Sequence, residues 1–169
     1  MAGFATGMGT HADMFLKIDG IEGESRDDKH KNEIELLSFS FGASQAGSSG
    51  FGGGAGVGKV QVHDFVFSKH YDKSSPKLFE ACATGKHDAK LTLICRKAGG
   101  AQQEYLKVTL SEAMISSVQD AGSGGESLPS ESVTVNFSKI EIEYKPQDEK
   151  GNLGGVVKAG WDRSKNIKV

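Results

Sequence analysis

The stretch SVTVNFSKIEIEY, residues 132–144, decides the fold, because its apolar positions change phase in the middle. Val133 and Val135 alternate with polar residues at a period of two, and the alternation restarts one residue out of step at Ile140 and Ile142. Period-two alternation predicts a half-buried strand, and a slip in it predicts a bulge or a change of face. The stretch therefore predicts a bent strand of the kind that closes a curved sheet.

Six further segments alternate in the same way and are rich in Val, Ile, Thr and Phe, which favour strands. They are residues 14–18, 33–41, 59–68, 89–97, 104–118 and 156–161. A second change of phase lies within 33–41, where Ile34 and Leu36 give way to Leu37, Phe39 and Phe41. Turn-rich connections favour antiparallel pairing. The predicted fold is mainly β, a partly closed antiparallel β-barrel of bent strands with one short α-helix.

That helix is predicted over SSPKLFEACATG, residues 74–85. Ser75 is a typical N-cap, Pro76 suits the first helical position and Gly85 is a typical stop signal. The expected apolar stripe consists of Leu78, Phe79 and Cys82. We expect this stripe to pack against the sheet.

The length of 169 residues fits one domain, predicted over 12–169, with 1–11 as a disordered leader or an expression remnant. Twenty basic and 22 acidic side chains leave a net charge of −2, which favours neither nucleic acid nor an anionic membrane as a partner. The sequence shows no signal peptide and no apolar run of membrane-spanning length. Cys82 and Cys95 are predicted to be small buried apolar residues.

A glycine tract, GFGGGAGVGK at 50–59, resembles a phosphate-binding loop but lacks what that loop needs. Position 60 is Val, so the hydroxyl that binds magnesium is missing. The lysine must also lead into a helix whose amides face the phosphates, whereas the following residues alternate as a strand. No nucleotide site is predicted here.

The remaining polar clusters predict no catalytic, cofactor or metal site. Residues 23–33 gather acids and a histidine without the glycine of a calcium loop, which favours a solvated connection between the first two strands. The five histidines lack metal-ligand spacing. His63 and Asp64 are adjacent, but neighbours in a strand point to opposite faces, so they are not expected to orient one another.

Ser38 and Ser40 occupy the strand face opposite Phe39 and Phe41. If the aromatic rings point into the core, small hydroxyls line the other face. An ordinary solvent-facing strand is the simpler interpretation from the residues alone.

Dispersed short motifs together resemble one family, Hcp, the haemolysin-coregulated tube protein of bacterial type VI secretion systems. The motifs agree in order and spacing: DMFLKIDGIEGES at 13–25, LLSFSFGASQAG at 36–47, GKVQVHDF at 58–65, DKSSPKLFEACATGKH at 72–87, CRKAGG at 95–100, ISSV at 115–118, SGGE at 123–126 and GW at 160–161. The resemblance covers about residues 12–165 and therefore most of the chain.

The resemblance implies a compact barrel, similar to phage tail tube proteins, of which six copies form a ring around a wide channel. Rings stack head to tail into a tube that a spike caps and a contractile sheath surrounds. The implied partners are copies of the chain itself, the spike and sheath proteins, and small effector proteins held in the lumen. The protein would be cytoplasmic in the producing bacterium and then secreted without a signal peptide.

The resemblance also places Ser38 and Ser40 on the strand that lines the channel, which reverses the simpler interpretation. It places residues 42–58 in an arm directed toward a neighbouring subunit, with Ser49, Gly50, Phe51, Gly52, Gly53 and Gly54 as the expected contact residues. Two alternatives stay open: a monomeric β-barrel module that binds a peptide or small ligand, and an enzyme related to such a subunit.

Overall fold

Twelve strands and one helix make up residues 12–45, 59–97 and 102–169, which are the residues described by a computed structural model. The strands are β1 Ala12–Ile18, β2 Ile34–Glu35, β3 Ser38–Ser40, β4 Ala43–Ser44, β5 Gln61–Val62, β6 Phe65–His70, β7 Ala89–Lys97, β8 Glu104–Ala121, β9 Ser130–Asn136, β10 Lys139–Tyr144, β11 Val157–Asp162 and β12 Ile167–Lys168. The helix α1 spans Ser75–Thr84.

The strands form two main antiparallel sheets that share β8. The large sheet has the order β12-β11-β10-β8-β7-β1-β2, and the small sheet has the order β3-β6-β9-β8. The short strands β4 and β5 pair separately with each other. The predicted fold class, a partly closed antiparallel barrel of bent strands with one short helix, is confirmed.

One strand serves both sheets because β8 bends in the middle. Its first half pairs with β7 and β10, and its second half, from Met114 onward, pairs with β9. Glu112 has a φ of 49°, which is uncommon for a residue with a Cβ, and a bulge lies between Ile115 and Ser117. Bulges bend strands, so the kink redirects β8 from one sheet into the other.

The bend predicted within 132–144 lies between β9 and β10, at residues 137–138. Arg163 satisfies the carbonyl groups there. Its backbone N–H donates to the Ser138 carbonyl at 2.7 Å, and its Nη1 donates to the Phe137 carbonyl at 2.9 Å. The guanidinium also lies 5.2 Å from the centroid of the Phe137 ring, a cation–π distance.

The second predicted change of phase occurs between Leu36 and Leu37. The Leu36 N–H donates to the Met14 carbonyl of β1 at 3.0 Å, and the Leu37 N–H donates to the Ser68 carbonyl of β6 at 2.8 Å. Consecutive residues thus bond to different sheets, and the chain crosses from the large sheet to the small one at this point. The crossing brings the two sheets around a shared core.

The core consists of the apolar faces of both sheets. Its aromatic part is a row of rings from β3 and β6: Phe39 and Phe41 lie 6.1 Å apart, and both lie within 6.2 Å of Phe65. Phe65 and Phe67 are buried, whereas Phe39 and Phe41 are half-buried. The aromatic residues therefore face inward, as the alternation predicts.

The helix departs from the prediction at two positions. The N-cap is Ser74 rather than Ser75, because the Ser75 hydroxyl is used by the buried ammonium of Lys69, which donates to it at 2.8 Å. Phe79, predicted in the apolar stripe, is 61% exposed, while Leu78 and Ala81 are buried. The predicted stop is confirmed, since Gly85 has a φ of 65° in the left-handed region.

Lys69 connects the helix to the small sheet. Its Nζ lies 3.0 Å from Glu131 Oε2 of β9 and 2.9 Å from Asp72 Oδ1, just before the helix. Lys69 and Glu131 are both buried. Breaking a buried pair leaves an uncompensated charge, so this contact fixes the start of α1 against the sheet.

The loop over 22–33 is more ordered than a solvated connection, which corrects the prediction for 23–33. Arg96, 2% exposed, donates to both carboxylate oxygens of Asp27 at 3.0 and 2.6 Å and to Asp13 at 3.0 Å. His30 is buried, stacks on Phe15 at 4.3 Å, and has its ring nitrogens 2.8 Å from carboxylate oxygens of Glu33 and Glu104. Arg96 and Glu104 lie far from the loop in sequence, and their contacts hold the loop against the strands.

No helix among the described residues is long and apolar enough to cross a membrane.

The Asp27–Arg96 pair yields a test of pH dependence. The hydrogen bonds from Arg96 lower the pKa of Asp27 from 3.8 to about 2. A carboxyl whose pKa is depressed in the folded state stabilises the fold above its unfolded pKa and loses that contribution as the pH falls toward the folded pKa. We expect Asp27→Asn to lower the free energy of unfolding by about 3 kcal/mol at pH 7 and to flatten the loss of stability between about pH 4 and pH 2.

Urea unfolding as a function of pH measures both effects, and Asp28→Asn is the matched control because Asp28 is an exposed neighbour in the same loop. Equal stability of Asp27→Asn and Asp28→Asn would contradict the assigned role of the pair.

Candidate channel face and assembly surfaces

The outer face of the small sheet is covered with small uncharged side chains. Because the strands pair in register, these side chains form two rows across four strands. One row is Ser38, Ser68, Ser132 and Gln119, and the next is Ser40, Val66, Thr134 and Ser117. We call these eight residues the hydroxyl face.

The hydroxyl face is exposed or half-exposed along both rows, whereas the residues between them point into the core. Phe67 and Val133, which alternate with the rows on β6 and β9, are buried. The Ser38 and Ser68 hydroxyls lie 2.5 Å apart. All eight side chains are uncharged, so this surface offers hydrogen-bond donors and acceptors without an electrostatic field of its own.

The sequence singled out Ser38 and Ser40, and both belong to the hydroxyl face. It missed the serines and threonine of β6, β8 and β9, namely Ser68, Ser117, Ser132 and Thr134. The alternation of SVTV over 132–135 and of FVFS over 65–68 indicates that the hydroxyl side chains in these stretches face away from the core. Strand order, which the alternation does not specify, was needed to bring these residues together.

The small sheet has an unpaired edge at each side. Within the described residues, β3 pairs only with β6, and the second half of β8 pairs only with β9. Unpaired strand edges present backbone N–H and C=O groups that bind further strands. The hydroxyl face is therefore bounded by two edges that are available for assembly.

The predicted contact residues of the arm, from Ser49 to Gly54, lie outside the described residues. The start and end of the arm are described, and they lie side by side. Ala43 pairs with Val62, Ser44 pairs with Gln61, and the His63 N–H donates to the Gly42 carbonyl at 2.8 Å. The arm therefore leaves and rejoins the barrel at one place.

An apolar pocket lies beside the base of the arm. Its cavity of about 310 Å³ is lined mainly by Phe41, Val62, Ile142, Ala159 and Trp161. The Trp161 Nε1 atom is buried and has no hydrogen-bond partner among the described residues. The apolar lining suits an apolar group.

A polar groove adjoins this pocket and contains His63, Asp64 and Arg163. The adjacent His63 and Asp64 bond to different partners, although they lie between β5 and β6 rather than within the single strand predicted over 59–68. His63 Nε2 lies 3.2 Å from the Ser44 hydroxyl, and Asp64 accepts a hydrogen bond from Asn136 at 2.9 Å. Asp64 therefore does not orient the imidazole for acid–base chemistry.

The described residues contain no group of three or more potential ligands arranged to hold a metal ion. Cys95 is 1% exposed, and burial raises the pKa of its thiol to about 11. A thiol held protonated in this way is a poor nucleophile. Cys82 is only half-buried rather than buried.

The fold is mainly β, and its open sheet edges are of the kind that can add strands of another chain. The comparisons with known proteins give the family. Residues 15–144 match the family described as "Type VI secretion system effector, Hcp", and the chain belongs to this family.

Individual relatives agree. The chain is 49% identical over 159 residues to Protein hcp1 of Pseudomonas aeruginosa, covering 93% of this chain and 98% of that protein. Among solved structures, one described as a type six secretion system protein superposes with a TM-score of 0.88 at 31% identity, covering 94% of this chain and all of that one. Hcp1 from Salmonella typhimurium gives a TM-score of 0.75 at 38% identity, covering 94% and 99%.

These findings support the tube and effector function of type VI secretion over a monomeric module that binds a peptide or small ligand. The family is one of secreted structural proteins rather than enzymes.

Proposed function

We propose that the chain assembles into a six-membered ring by joining the two open edges of its small sheet. The edge of β3 on one subunit meets the edge of the second half of β8 on the next. The two edges differ, so the contact is heterologous, and a heterologous contact repeated around an axis closes into a ring. The observation that carries the proposal is the pair of unpaired edges that flank the hydroxyl face.

Strand direction supports this arrangement. Neighbours in the small sheet are antiparallel throughout, and the sheet has four strands. Because four is even, β3 and β8 run in opposite directions. A neighbouring copy therefore continues the antiparallel pattern without a break, and the small sheets form one continuous barrel around the ring. Barrels with that many strands leave an open lumen.

In this ring the hydroxyl face lines the channel, and small effector proteins are held there by hydrogen bonds. Rings stack head to tail into a tube that a spike caps and a contractile sheath surrounds. The protein is made in the bacterial cytoplasm and is secreted by this route without a signal peptide. Its family and its uncharged hydroxyl face support the proposal.

The edge contact can be tested at Asp120, on the open edge of β8. The Tyr71 N–H donates to the Pro129 carbonyl, so the backbone groups of Pro129 face β6. Backbone groups alternate along a strand, so those of Glu131 also face β6. Asp120 lies opposite Glu131 in the ladder, and its N–H therefore points away from β9, to the open edge. We expect Asp120→Pro to remove an intersubunit hydrogen bond and to block strand addition. The variant should be a folded monomer by circular dichroism and light scattering, whereas wild type has six times the subunit mass.

Asp120→Ala is the control, because it keeps the N–H and should keep the ring. A monomeric wild type at tens of micromolar, or an intact ring in the proline variant, would contradict the edge contact.

The channel role can be tested with a larger side chain at Ser40. We expect Ser40→Gln to reduce co-purification of a cognate effector several-fold, because the longer side chain projects into the space that the effector occupies. The ring should stay assembled in light scattering. Ser127→Gln, at an exposed serine outside the hydroxyl face, should retain the effector. Equal retention by the two variants would exclude Ser40 as a contact.

We also propose that the arm, with Ser49, Gly50, Phe51, Gly52, Gly53 and Gly54, contacts a neighbouring subunit. The paired start and end of the arm support this, because residues 46–58 are inserted at one place on the barrel without interrupting its main sheets. We expect deletion of residues 49–56 to lower the ring fraction while the melting temperature of the subunit changes little. An intact ring after the deletion would contradict a contact between the arm and the neighbouring subunit.

A further inference from the structure

The connection between β8 and β9 presents one exposed apolar side chain at an end of the small sheet. It spans residues 122–129, and its Leu128 is 49% exposed. Glu126 in the loop and Asp120 just before it are acidic and exposed. The Tyr71 N–H holds the end of the loop by donating to the Pro129 carbonyl at 2.9 Å. The middle of the loop stands clear of the rest of the described chain, since there is open space around Gly124 and Gly125.

The apolar pocket lies at the opposite end of the same sheet. Phe41 of the pocket directly follows β3, and Ile140 of the pocket lies just beyond the bend that ends β9. Residues 122–129 instead precede the start of β9 at Ser130. The two features are thus separated by the length of β9, about 20 Å for seven residues. Head-to-tail stacking brings opposite ends of two copies together.

The loop and the pocket are complementary in shape and polarity. A branched aliphatic side chain fits a cavity of about 310 Å³ lined by Phe41, Ile142 and Trp161. The lining of the pocket is mainly apolar, so a leucine side chain that enters it leaves water without giving up a hydrogen bond.

The charges around the two features are opposite in sign. Lys59 and Arg163 line the groove that adjoins the pocket and shares Trp161 with it. Arg163 pairs with Asp64 of that groove, with its Nη1 3.6 Å from Oδ1, so the lining keeps one net positive charge, that of Lys59. The loop supplies Asp120 and Glu126 and has no basic residue between positions 120 and 129. Opposite charges at the rim of a contact guide association and fix its orientation.

We propose that Leu128 of one copy inserts into the Phe41–Trp161 pocket of the copy stacked on it, and that this contact joins successive rings. The inference rests on the proposed ring and adds the axial contact that turns rings into a tube. The occupant of the pocket is a second copy of this chain.

Disulfide trapping tests the contact directly. The starting variant is Cys82→Ser, which removes the half-buried thiol, while the buried Cys95 is kept. Leu128→Cys is combined with Ala159→Cys in one variant and with Val62→Cys in another, since both positions line the pocket. After mild oxidation of concentrated rings, either pair should give a ladder of dimers, trimers and larger species on a non-reducing gel, because each subunit is linked above and below.

Each single cysteine variant should give no species larger than a dimer, which separates the axial contact from random pairing. Leu128→Cys with Phe79→Cys is the matched control, because Phe79 is exposed but lies outside the pocket. Adding Glu126→Lys to a trapping pair should slow cross-linking about threefold at low salt, and high salt should remove the difference.

Light scattering of every variant separates the two proposals. Assembled rings without a ladder in either trapping pair, or an equal ladder in the Phe79 control, overturn the axial contact and leave the ring intact as a proposal. A monomeric wild type overturns the ring, and the axial contact with it.

Discussion

Arg163 stabilises the bend on which the architecture depends. A strand that turns from one sheet into another leaves backbone carbonyls without ladder partners, and buried carbonyls of this kind must be paired. Arg163 pairs two of them, at Phe137 and Ser138, with its backbone and its guanidinium. Glu112 of β8 lies opposite this bend, and its φ of 49° lets the neighbouring strand turn as well. Together they allow one continuous pair of strands to belong to both sheets.

This shared pair determines what the small sheet can do. Because the second half of β8 leaves the large sheet and pairs with β9, the small sheet needs only β6 and β3 to complete it. One face then packs phenylalanines into the core, and the other carries hydroxyls. The edges remain unpaired within the described chain, since the large sheet uses only the first half of β8. The edges proposed for assembly and the face proposed for cargo thus arise from the same bend.

The sequence predicted the features that depend on local alternation. It predicted β7 over residues 89–97, both changes of phase and the inward aromatic residues. It did not predict β4 or β12, which have two residues each and are too short to show a period. It also misplaced Phe79, because helical spacing does not reveal which side of a short helix faces the sheet.

Long-range contacts account for the remaining differences. The loop over 22–33 looked solvated, yet Asp27 and His30 are bound by Arg96 and Glu104 from strands that lie some 70 residues further along the chain. In the same way, Lys69 donates a hydrogen bond to the Ser75 hydroxyl, which was predicted to cap the helix. Six of the eight residues of the hydroxyl face were likewise not predicted, because only strand order places Ser132 and Thr134 beside Ser68 and Val66. The contacts of a charged or hydroxyl side chain can be assigned only when its neighbours in the fold are known.

The central claim is that the small sheets of neighbouring copies join into one barrel whose inner surface is the hydroxyl face. Cryo-electron microscopy of the purified particle tests it most directly. The account predicts a six-membered ring with a continuous antiparallel inner wall, four strands from each subunit, and Ser40 facing the channel. A ring whose hydroxyl face points outward, or whose β3 and β8 edges remain unpaired, would contradict it.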